Sequence, residues 1–393
     1  MTHAMTPLLV DRDAPFIVLA AGGTGGHVFP AEALAAALEA QGCRLALITD
    51  RRGQDHGGAT LGGVLGRLET HRLQAGGIAG RGLGGRLSGL ARLGLGIGQA
   101  WRLLRRLRPD AVVGFGGYAA FAPVLAASLQ DLPALIHEQN AVLGRANRLL
   151  AGRVRMVATA LPKVRHLPAG KGHHVGNPVR PATLEARAVS YAPPAPDGPV
   201  RLLVTGGSQG ARALTDLVPA AMAALPENLR ARLAVAQQCR PEDLERARAA
   251  YAAAGIAAET ATFFTDIPAR LAAAHLVVCR AGASTVAELT CAGRPAVLIP
   301  FPFAIDDHQT ANARALDESG AAWLMPQGTL TAESLSARLA ALLGAPDTLA
   351  GAAARARALG RPDAAARLAA LTLALADPPD IPTDHIPVRE TAA

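Results

Sequence analysis

Six consecutive residues, Gly22 to His27 (GGTGGH), combine a flexible backbone, a hydroxyl at Thr24 and an imidazole at His27. The apolar run Phe16 to Ala20 before them has strand length, and a helical pattern follows from Pro30 to Ala40. Backbone entering a helix N-terminus offers unpaired N–H groups and the positive end of a dipole, which suits an anion. His27 titrates near neutrality and can take or give a proton. A tight packed turn would use the same glycines. The segment is not a P-loop, because no Gly-Lys-Ser/Thr follows. It is not a clean GxGxxG either, because His27-Val28 replace the third glycine. The pattern returns at Val200 to Thr205, followed by Gly206-Gly207-Ser208-Gln209-Gly210 and a helix starting near Ala211.

Two later segments set polar side chains on small-residue backbone. In Cys279 to Glu288 (CRAGASTVAE), Glu288 could accept two hydrogen bonds from vicinal ribose hydroxyls. The same residues could instead form a capping box, with Ser284 or Thr285 as cap and Glu288 completing it. Pro300 to Ala313 is a Pro-rich loop running into a helix, with Asp306, Asp307, His308 and Gln309 at its mouth. The two aspartates are adjacent rather than spaced as DxD, so a metal–diphosphate clamp is not indicated.

The elements that must position these groups read as strands alternating with helices. Further strands are expected at Leu45 to Thr49, Ala111 to Gly114, Ala134 to His137, Leu276 to Cys279 and Ala296 to Pro300. Such alternation implies mostly parallel sheets covered by helices on both faces, here as two Rossmann-like domains. Ala192 to Pro199 (APPAPDGP) reads as the linker between them. Substrates would sit in the cleft, at the carboxyl ends of the strands.

Composition narrows the class. The chain has 393 residues, 50% hydrophobic, 3% aromatic and 18% charged. Disorder is excluded by that apolar content. No run reaches 18 apolar residues, and the start reads as lacking a secretory leader, so a cytoplasmic protein is expected. Cys43, Cys239, Cys279 and Cys291 have no CxxC spacing and read as reduced core thiols. Residues 1–190 carry 22 Lys and Arg against 11 Asp and Glu, whereas residues 191–393 carry 17 against 20. Only Lys163 and Lys171 are lysines, which fits GC-rich coding, but that bias does not explain why one half takes the excess. From Thr70 to Pro109 there are eight arginines, no acidic residue and many aliphatics, Ile78, Leu83, Leu87 and Leu95 among them. An apolar and basic stretch suits an anionic bilayer; a core helix from about Leu95 to Leu107 with solvated arginines would read the same way.

The order GGTGGH, GFGGY (Gly114 to Tyr118), HEQN (His137 to Asn140), GNPVR (Gly176 to Arg180), GGSQGAR (Gly206 to Arg212), RAGAST-AE and DDHQTANA (Asp306 to Ala313) resembles the MurG family. These are peripheral-membrane glycosyltransferases of peptidoglycan synthesis. The resemblance runs from about residue 15 to about 372. It implies a GT-B fold, two Rossmann-like parallel-sheet domains facing each other across a cleft. It implies a flexible start (1–14), an acceptor and membrane domain (15–179) and a UDP-sugar domain (180–360). A C-terminal helix (361–376) would pack back on the first domain, and a disordered tail (377–393) would follow. The implied reaction is inverting transfer of N-acetylglucosamine from UDP-GlcNAc to the C4 hydroxyl of lipid I, giving lipid II at the cytoplasmic face of the inner membrane.

Carried over to this sequence, Arg180 would meet the uracil and Ser208 the diphosphate, which Ala283, Ser284 and Thr285 would also approach. Glu288 would hold the ribose, and His308 and Gln309 the hydroxyls of the transferred sugar. Thr24, Gly25, Gly26 and Asn140 join the donor set from the other domain. His27 is the first candidate for the base and Glu138 the second, although Glu138 could instead pair with Arg145 or Arg148. No cofactor and no metal are implied; protein partners in wall synthesis and division are. Around Phe264-Thr265-Asp266-Ile267 the sequence departs from the family, and no site residue is drawn there. A UDP-sugar epimerase of related fold and a non-catalytic UDP-sugar-binding scaffold remain as alternatives. Neither glycine loop fits a dehydrogenase. The low aromatic content and the absence of a recognisable module disfavour a nucleic-acid partner.

Overall fold

The computed structural model describes residues 14–22, 25–50, 63–74, 83–207 and 210–377. Thr24, Ser208, Ile78 and the tail from 378 therefore lie outside the described residues, as does nearly all of 1–14.

The first half alternates β1 (Phe16–Ala20), α1 (Gly25–Glu39), β2 (Arg44–Asp50), β3 (Glu69–Leu73), α2 (Leu83–Leu107), β4 (Ala111–Gly114), α3 (Gly117–Ser128), β5 (Ala134–Glu138), α4 (Arg145–Leu150), β6 (Met156–Thr159) and β7 (Gly172–His174). The second continues with α5 (Pro181–Ala188), β8 (Val200–Thr205), α6 (Arg212–Ala223), α7 (Glu227–Arg230), β9 (Leu233–Gln238), α8 (Leu244–Ala253), β10 (Ala257–Ala261), α9 (Ile267–Ala273), β11 (Leu276–Cys279), α10 (Ala283–Ala292), β12 (Ala296–Leu298), α11 (His308–Glu318), β13 (Ala322–Leu324), α12 (Ala332–Leu343), α13 (Pro346–Leu359) and α14 (Ala364–Ala376).

The strands form two parallel sheets, in the orders β3-β2-β1-β4-β5-β6-β7 and β10-β9-β8-β11-β12-β13. Each half starts at its centre, builds outward and returns to the other side of its first strand. The order therefore reverses between β1 and β4, and again between β8 and β11. A parallel sheet opens a crevice at such a reversal, at the carboxyl ends of its strands. The expected strands are present, with β12 ending at Leu298 rather than Pro300.

Burial explains the runs read from sequence. All five residues of β1 and all four of β11 are buried, because helices cover both sheet faces. The first sheet packs Ile17, Leu19, Leu34 and Leu135 on one face and Val18, Ile48, Leu104 and Ile136 on the other. Burying one such aliphatic side chain contributes about 1.5–3 kcal/mol. Helix α14 ends the described chain but packs on the first sheet, where Leu368, Ala369 and Leu375 join its core. The four cysteines are buried and free.

One expectation is corrected. Ala192 to Pro199 is not the interdomain linker. It lies inside the second domain, between α5 and β8, and α5 packs on α9 and α10. The Arg232 guanidinium holds this stretch by the carbonyls of Gly198 (2.8 Å) and Ala195 (2.5 Å). Proline marked an irregular surface loop there rather than a boundary. The chain crosses between domains at Gly176 to Arg180.

Candidate active site

The loops at the two reversals carry GGTGGH, GFGGY, GGSQGAR and RAGAST. After β1, Gly22 passes so close to its neighbours that a Cβ would meet Thr49 Oγ1 at 2.8 Å and the Ala119 methyl at 2.9 Å. This close approach is why a side chain is missing there. Helix α1 then begins at Gly25 and carries His27 in its first turn. After β4, Gly116 and Gly117 have φ of 88° and 70°, open to glycine and strained for other residues. The His27 ring packs against this turn: a Cβ on Gly116 would lie 3.4 Å from its Cε1, and one on Gly117 3.5 Å from its Nε2.

Burial lowers the pKa of His27 below its usual value. The Glu138 carboxylate, the Gln139 side chain and the Phe115 carbonyl pull the other way without reversing it. The imidazole is thus held neutral at neutral pH, as a proton acceptor must be.

The HEQN residues end β5. Nε2–H of the fully buried His137 donates to the Gly176 carbonyl (3.0 Å), and its Nδ1 meets the Gln139 amide nitrogen (3.1 Å). The Gly176 carbonyl fixes the tautomer, and burial brings the pKa down to about 4. Gln139 also donates to the Phe115 carbonyl (3.0 Å), linking His137 to the loop around His27. Glu138 is buried and saturated. Its Oε1 accepts from the Asn140 backbone and side-chain amides (3.0 and 3.2 Å). Its Oε2 accepts from Gly144 N–H (2.8 Å) and Asn147 Nδ2 (2.9 Å). A carboxylate has about four acceptor positions, and these donors occupy them. The ion pair with Arg145 or Arg148 considered for it does not form; both arginines go to Asp306. Glu138 therefore organises its loop.

In the second domain, Gly282 caps α10 without a side-chain bond, so neither Ser284 nor Thr285 caps the helix and no capping box forms. Glu288 is bound instead by Arg180, whose Nε and Nη2 donate to its Oε1 at 3.2 and 2.8 Å. The Arg180 guanidinium also lies 5.1 Å over the Phe29 ring of α1, so it touches both domains. Burial raises the pKa of Glu288 although Arg180 opposes it. The turn after β8 keeps Gly207 and Gly210 at positive φ and opens α6 with no side-chain cap at Ala211. Arg280 donates to the carbonyls of Ile299 and Pro300, both at 3.0 Å, and to Gln327 Oε1 at 2.7 Å, fixing the loop after β12. On that loop His308 Nδ1 donates to the Ile305 carbonyl (2.8 Å), and Gln309 Oε1 accepts from Phe301 N–H (3.0 Å). The groups left over are His308 Nε2, an acceptor, and Gln309 Nε2, a donor. His308 is near enough to His27 to oppose its protonation.

The structure thus joins Glu138 to Asn140 and Arg180 to Glu288, sets Gly25, Gly26 and His27 in the first turn of α1 and His308 and Gln309 in that of α11, and opens α10 with Ala283, Ser284 and Thr285. Sequence reasoning missed Asn312. Its Oδ1 accepts from Ala141 N–H (2.8 Å), and its Nδ2 donates to Asn140 Oδ1 (3.1 Å) and the Ala281 carbonyl (3.0 Å). It was visible only as one asparagine in DDHQTANA. The opposition of Asp306 to Arg145 and Arg148 was also missed, since those residues stand far apart in the chain. Phe264, set aside earlier, is buried under the Arg270 guanidinium, 4.0 Å from its ring centroid, while Phe263 is exposed.

The glycosyltransferase family 28 N-terminal domain matches residues 17–159, and the C-terminal domain of that family matches residues 201–368. A curated relative from Paramagnetospirillum magneticum is named UDP-N-acetylglucosamine--N-acetylmuramyl-(pentapeptide) pyrophosphoryl-undecaprenol N-acetylglucosamine transferase. It is 59% identical over 351 residues, 88% of this chain and 93% of the relative. A relative of the same name from Rhodospirillum rubrum is 57% identical over 341 residues, 87% of each chain. The crystal structure of Acinetobacter baumannii MurG superposes with a TM-score of 0.75 at 32% identity, covering 91% of this chain and 99% of that one. A UDP-GlcNAc 2-epimerase from Neisseria meningitidis superposes at 0.63 over 91% of this chain and 99% of that one, with 12% identity, a likeness of fold alone.

Proposed function

The chain belongs to glycosyltransferase family 28, and from that membership we infer how its cleft joins a nucleotide sugar to a lipid-linked acceptor. It is a UDP-N-acetylglucosamine-dependent transferase of peptidoglycan synthesis, moving N-acetylglucosamine from UDP-GlcNAc to the undecaprenyl-linked muramyl pentapeptide, lipid I, to give lipid II.

The residue roles are our reading. His27 takes the proton of the acceptor C4 hydroxyl. That oxygen bonds to the anomeric carbon as the bond to the β-phosphate oxygen of UDP breaks. The electron pair leaves with UDP, and attack opposite the leaving group inverts the centre. Glu288 holds the ribose and Arg180 the uracil. The uncapped starts of α6, beside Ser208, and of α10, at Ala283 to Thr285, stabilise the departing diphosphate through fixed N–H donors. His308 Nε2 and Gln309 Nε2 hold sugar hydroxyls, one as acceptor and one as donor. Thr24, Gly25, Gly26 and Asn140 close on the donor from the first domain.

The observation carrying this reading is the seat of His27 in the first turn of α1, its ring packed on the Gly116-Gly117 turn, where burial keeps it neutral. The Asp306 carboxylate is engaged by two guanidinium groups.

We further propose that the basic, apolar stretch 70–109 rests on an anionic membrane surface at the cytoplasmic face, and that wall-synthesis and division proteins are partners. No described helix is long and apolar enough to cross a membrane. On α2, Leu95 is exposed and Arg92, Arg102, Arg105 and Arg106 are on hand for headgroups.

The test is transfer of sugar-labelled UDP-GlcNAc to a short-chain lipid I analogue in EDTA. Acceptor-dependent UDP release with label in a disaccharide lipid supports the reading. Interconversion of the UDP-sugar without acceptor would point to an epimerase, and binding without transfer to a scaffold. In the same preparation, flotation with cardiolipin-containing vesicles that is lost when Ile78, Leu83 and Leu87 become Ser supports the membrane surface; unchanged flotation refutes it.

A further inference from the structure

We propose that Asp306 is a positioning residue: with Arg145 and Arg148 it forms an ionic clasp across the cleft that sets the turn presenting His308 and Gln309 to the transferred sugar. The inference rests on the reading of His308 and Gln309 as the sugar-binding pair.

Three arginines of the first domain converge on this one residue of the second. Arg145 Nη2 donates to Asp306 Oδ1 at 3.2 Å, and Arg148 Nη2 to Oδ2 at 3.1 Å. Arg165 Nη2 donates to the Asp306 backbone carbonyl at 3.4 Å. The two guanidinium groups hold the Asp306 carboxyl below the usual carboxylate range. Among the described residues, every hydrogen-bond partner of this carboxylate comes from the other domain.

The backbone explains why that matters. Asp306 (φ 52°, ψ 24°) and Asp307 (φ 53°, ψ 35°) are successive residues in the left-handed region, and both carry a Cβ. Such a pair persists where its surroundings over-determine it. This turn lets His308 reach back to Ile305 and Gln309 to Phe301, which selects the atoms they offer the sugar. Helix α4, which carries Arg145 and Arg148, follows the loop that Glu138 ties to Asn140 and Gly144. Approach of the domains and shaping of the sugar pocket are therefore one event. Asp306 does not itself hold the substrate, so its effect falls on the sugar and not on the nucleotide.

The experiment compares binding of UDP-GlcNAc with binding of UDP, which lacks the sugar. Asp306→Asn keeps the shape and removes the charge. It should weaken UDP-GlcNAc about fivefold and leave UDP unchanged. Raising salt to about 0.5 M should impose the same loss on the wild type and little on the variant, because the clasp is exposed. Asp306→Arg combined with Arg145→Asp and Arg148→Asp should recover part of it. His308→Ala is the control. If it does not change the UDP-GlcNAc to UDP ratio, the sugar-pair reading fails and takes the clasp with it. If His308→Ala changes that ratio and Asp306→Asn does not, the sugar pair stands and the clasp is overturned. Equal weakening of both ligands by Asp306→Asn also overturns it, since that would be a general loss of structure.

Discussion

In the first domain the loops after β1, β4 and β5 place side chains at the crevice: a neutral His27, a saturated Glu138 behind it, and Gln139 joining it to the buried His137. In the second domain the loops after β8 and β11 place mostly backbone there, at Gly206, Gly207 and Gly210 and from Ala281 to Thr285. Among the described residues, Arg180, Glu288, His308 and Gln309 reach in as side chains. The sheet orders are alike, so topology does not account for the contrast. Charge flow does. A proton must leave one substrate, which takes a titratable group. A diphosphate must be held as it gains charge, and fixed N–H donors do that without titrating.

That division of labour makes its sharpest prediction for substitutions on opposite sides of the cleft. His27→Ala should lower kcat by about 10²- to 10⁴-fold while leaving UDP affinity unchanged. Glu288→Gln should instead raise KM for UDP-GlcNAc roughly ten- to hundredfold, with a smaller effect on kcat, because it weakens a charged acceptor for ribose. Steady-state kinetics with a soluble lipid I analogue read both. If His27→Ala costs only KM, or Glu288→Gln only kcat, the assignment of chemistry to one side and binding to the other is wrong.

Much of this was legible in the sequence because it is local. Each glycine loop follows a run of apolar residues, and each run is a buried central strand. His27, Glu288 and the His308-Gln309 pair could be picked out as chemistry-bearing types on such loops. What stayed hidden depends on contacts between distant segments. Nothing near Ala141 says that its N–H will be taken by Asn312. Nothing near Arg145 points to Asp306. Ala192 to Pro199 misled because proline reports a chain that cannot join a sheet, and a loop inside a domain satisfies that as well as a boundary does.

The seam between the halves gives a smaller effect of a different kind. Asn312 is fully buried and makes three hydrogen bonds, two of them into the first domain. Asn312→Ala would leave Ala141 N–H and the Ala281 carbonyl buried without that partner, which costs roughly 1–3 kcal/mol for each group so stranded. Calorimetry should record a lower Tm, and UDP-GlcNAc should bind more weakly because Asn140 Oδ1 loses its donor from the second domain. Unchanged affinity with a lowered Tm would reduce Asn312 to a structural residue.

The mildest test uses acid, because each half buries a histidine whose pKa falls to about 4. Burial lowers His137 in the first and His275 in the second to about 4, with Arg201, Arg232 and Arg294 adding to the effect on His275. Both are neutral in the folded chain. Once unfolded they titrate near 6.5, so below that pH the unfolded chain binds more protons. Their contribution to stability is complete above about pH 6.5 and is lost as the pH falls from there towards 4. The slope is about 1.4 kcal/mol per pH unit for each histidine. Urea unfolding between pH 7.5 and 4.5 should show it, and His275→Gln should flatten it by one proton's worth. The two sites then part company. Protonating His137 sets an N–H against the Gln139 amide and disturbs the link to the His27 loop, whereas His275 bonds to Arg201 away from the cleft. His275→Gln should therefore leave the acid limb of kcat in place, below the pH at which a free histidine would titrate because His27 itself is lowered. A limb that moves with His275→Gln would mean that the second half, too, governs the proton.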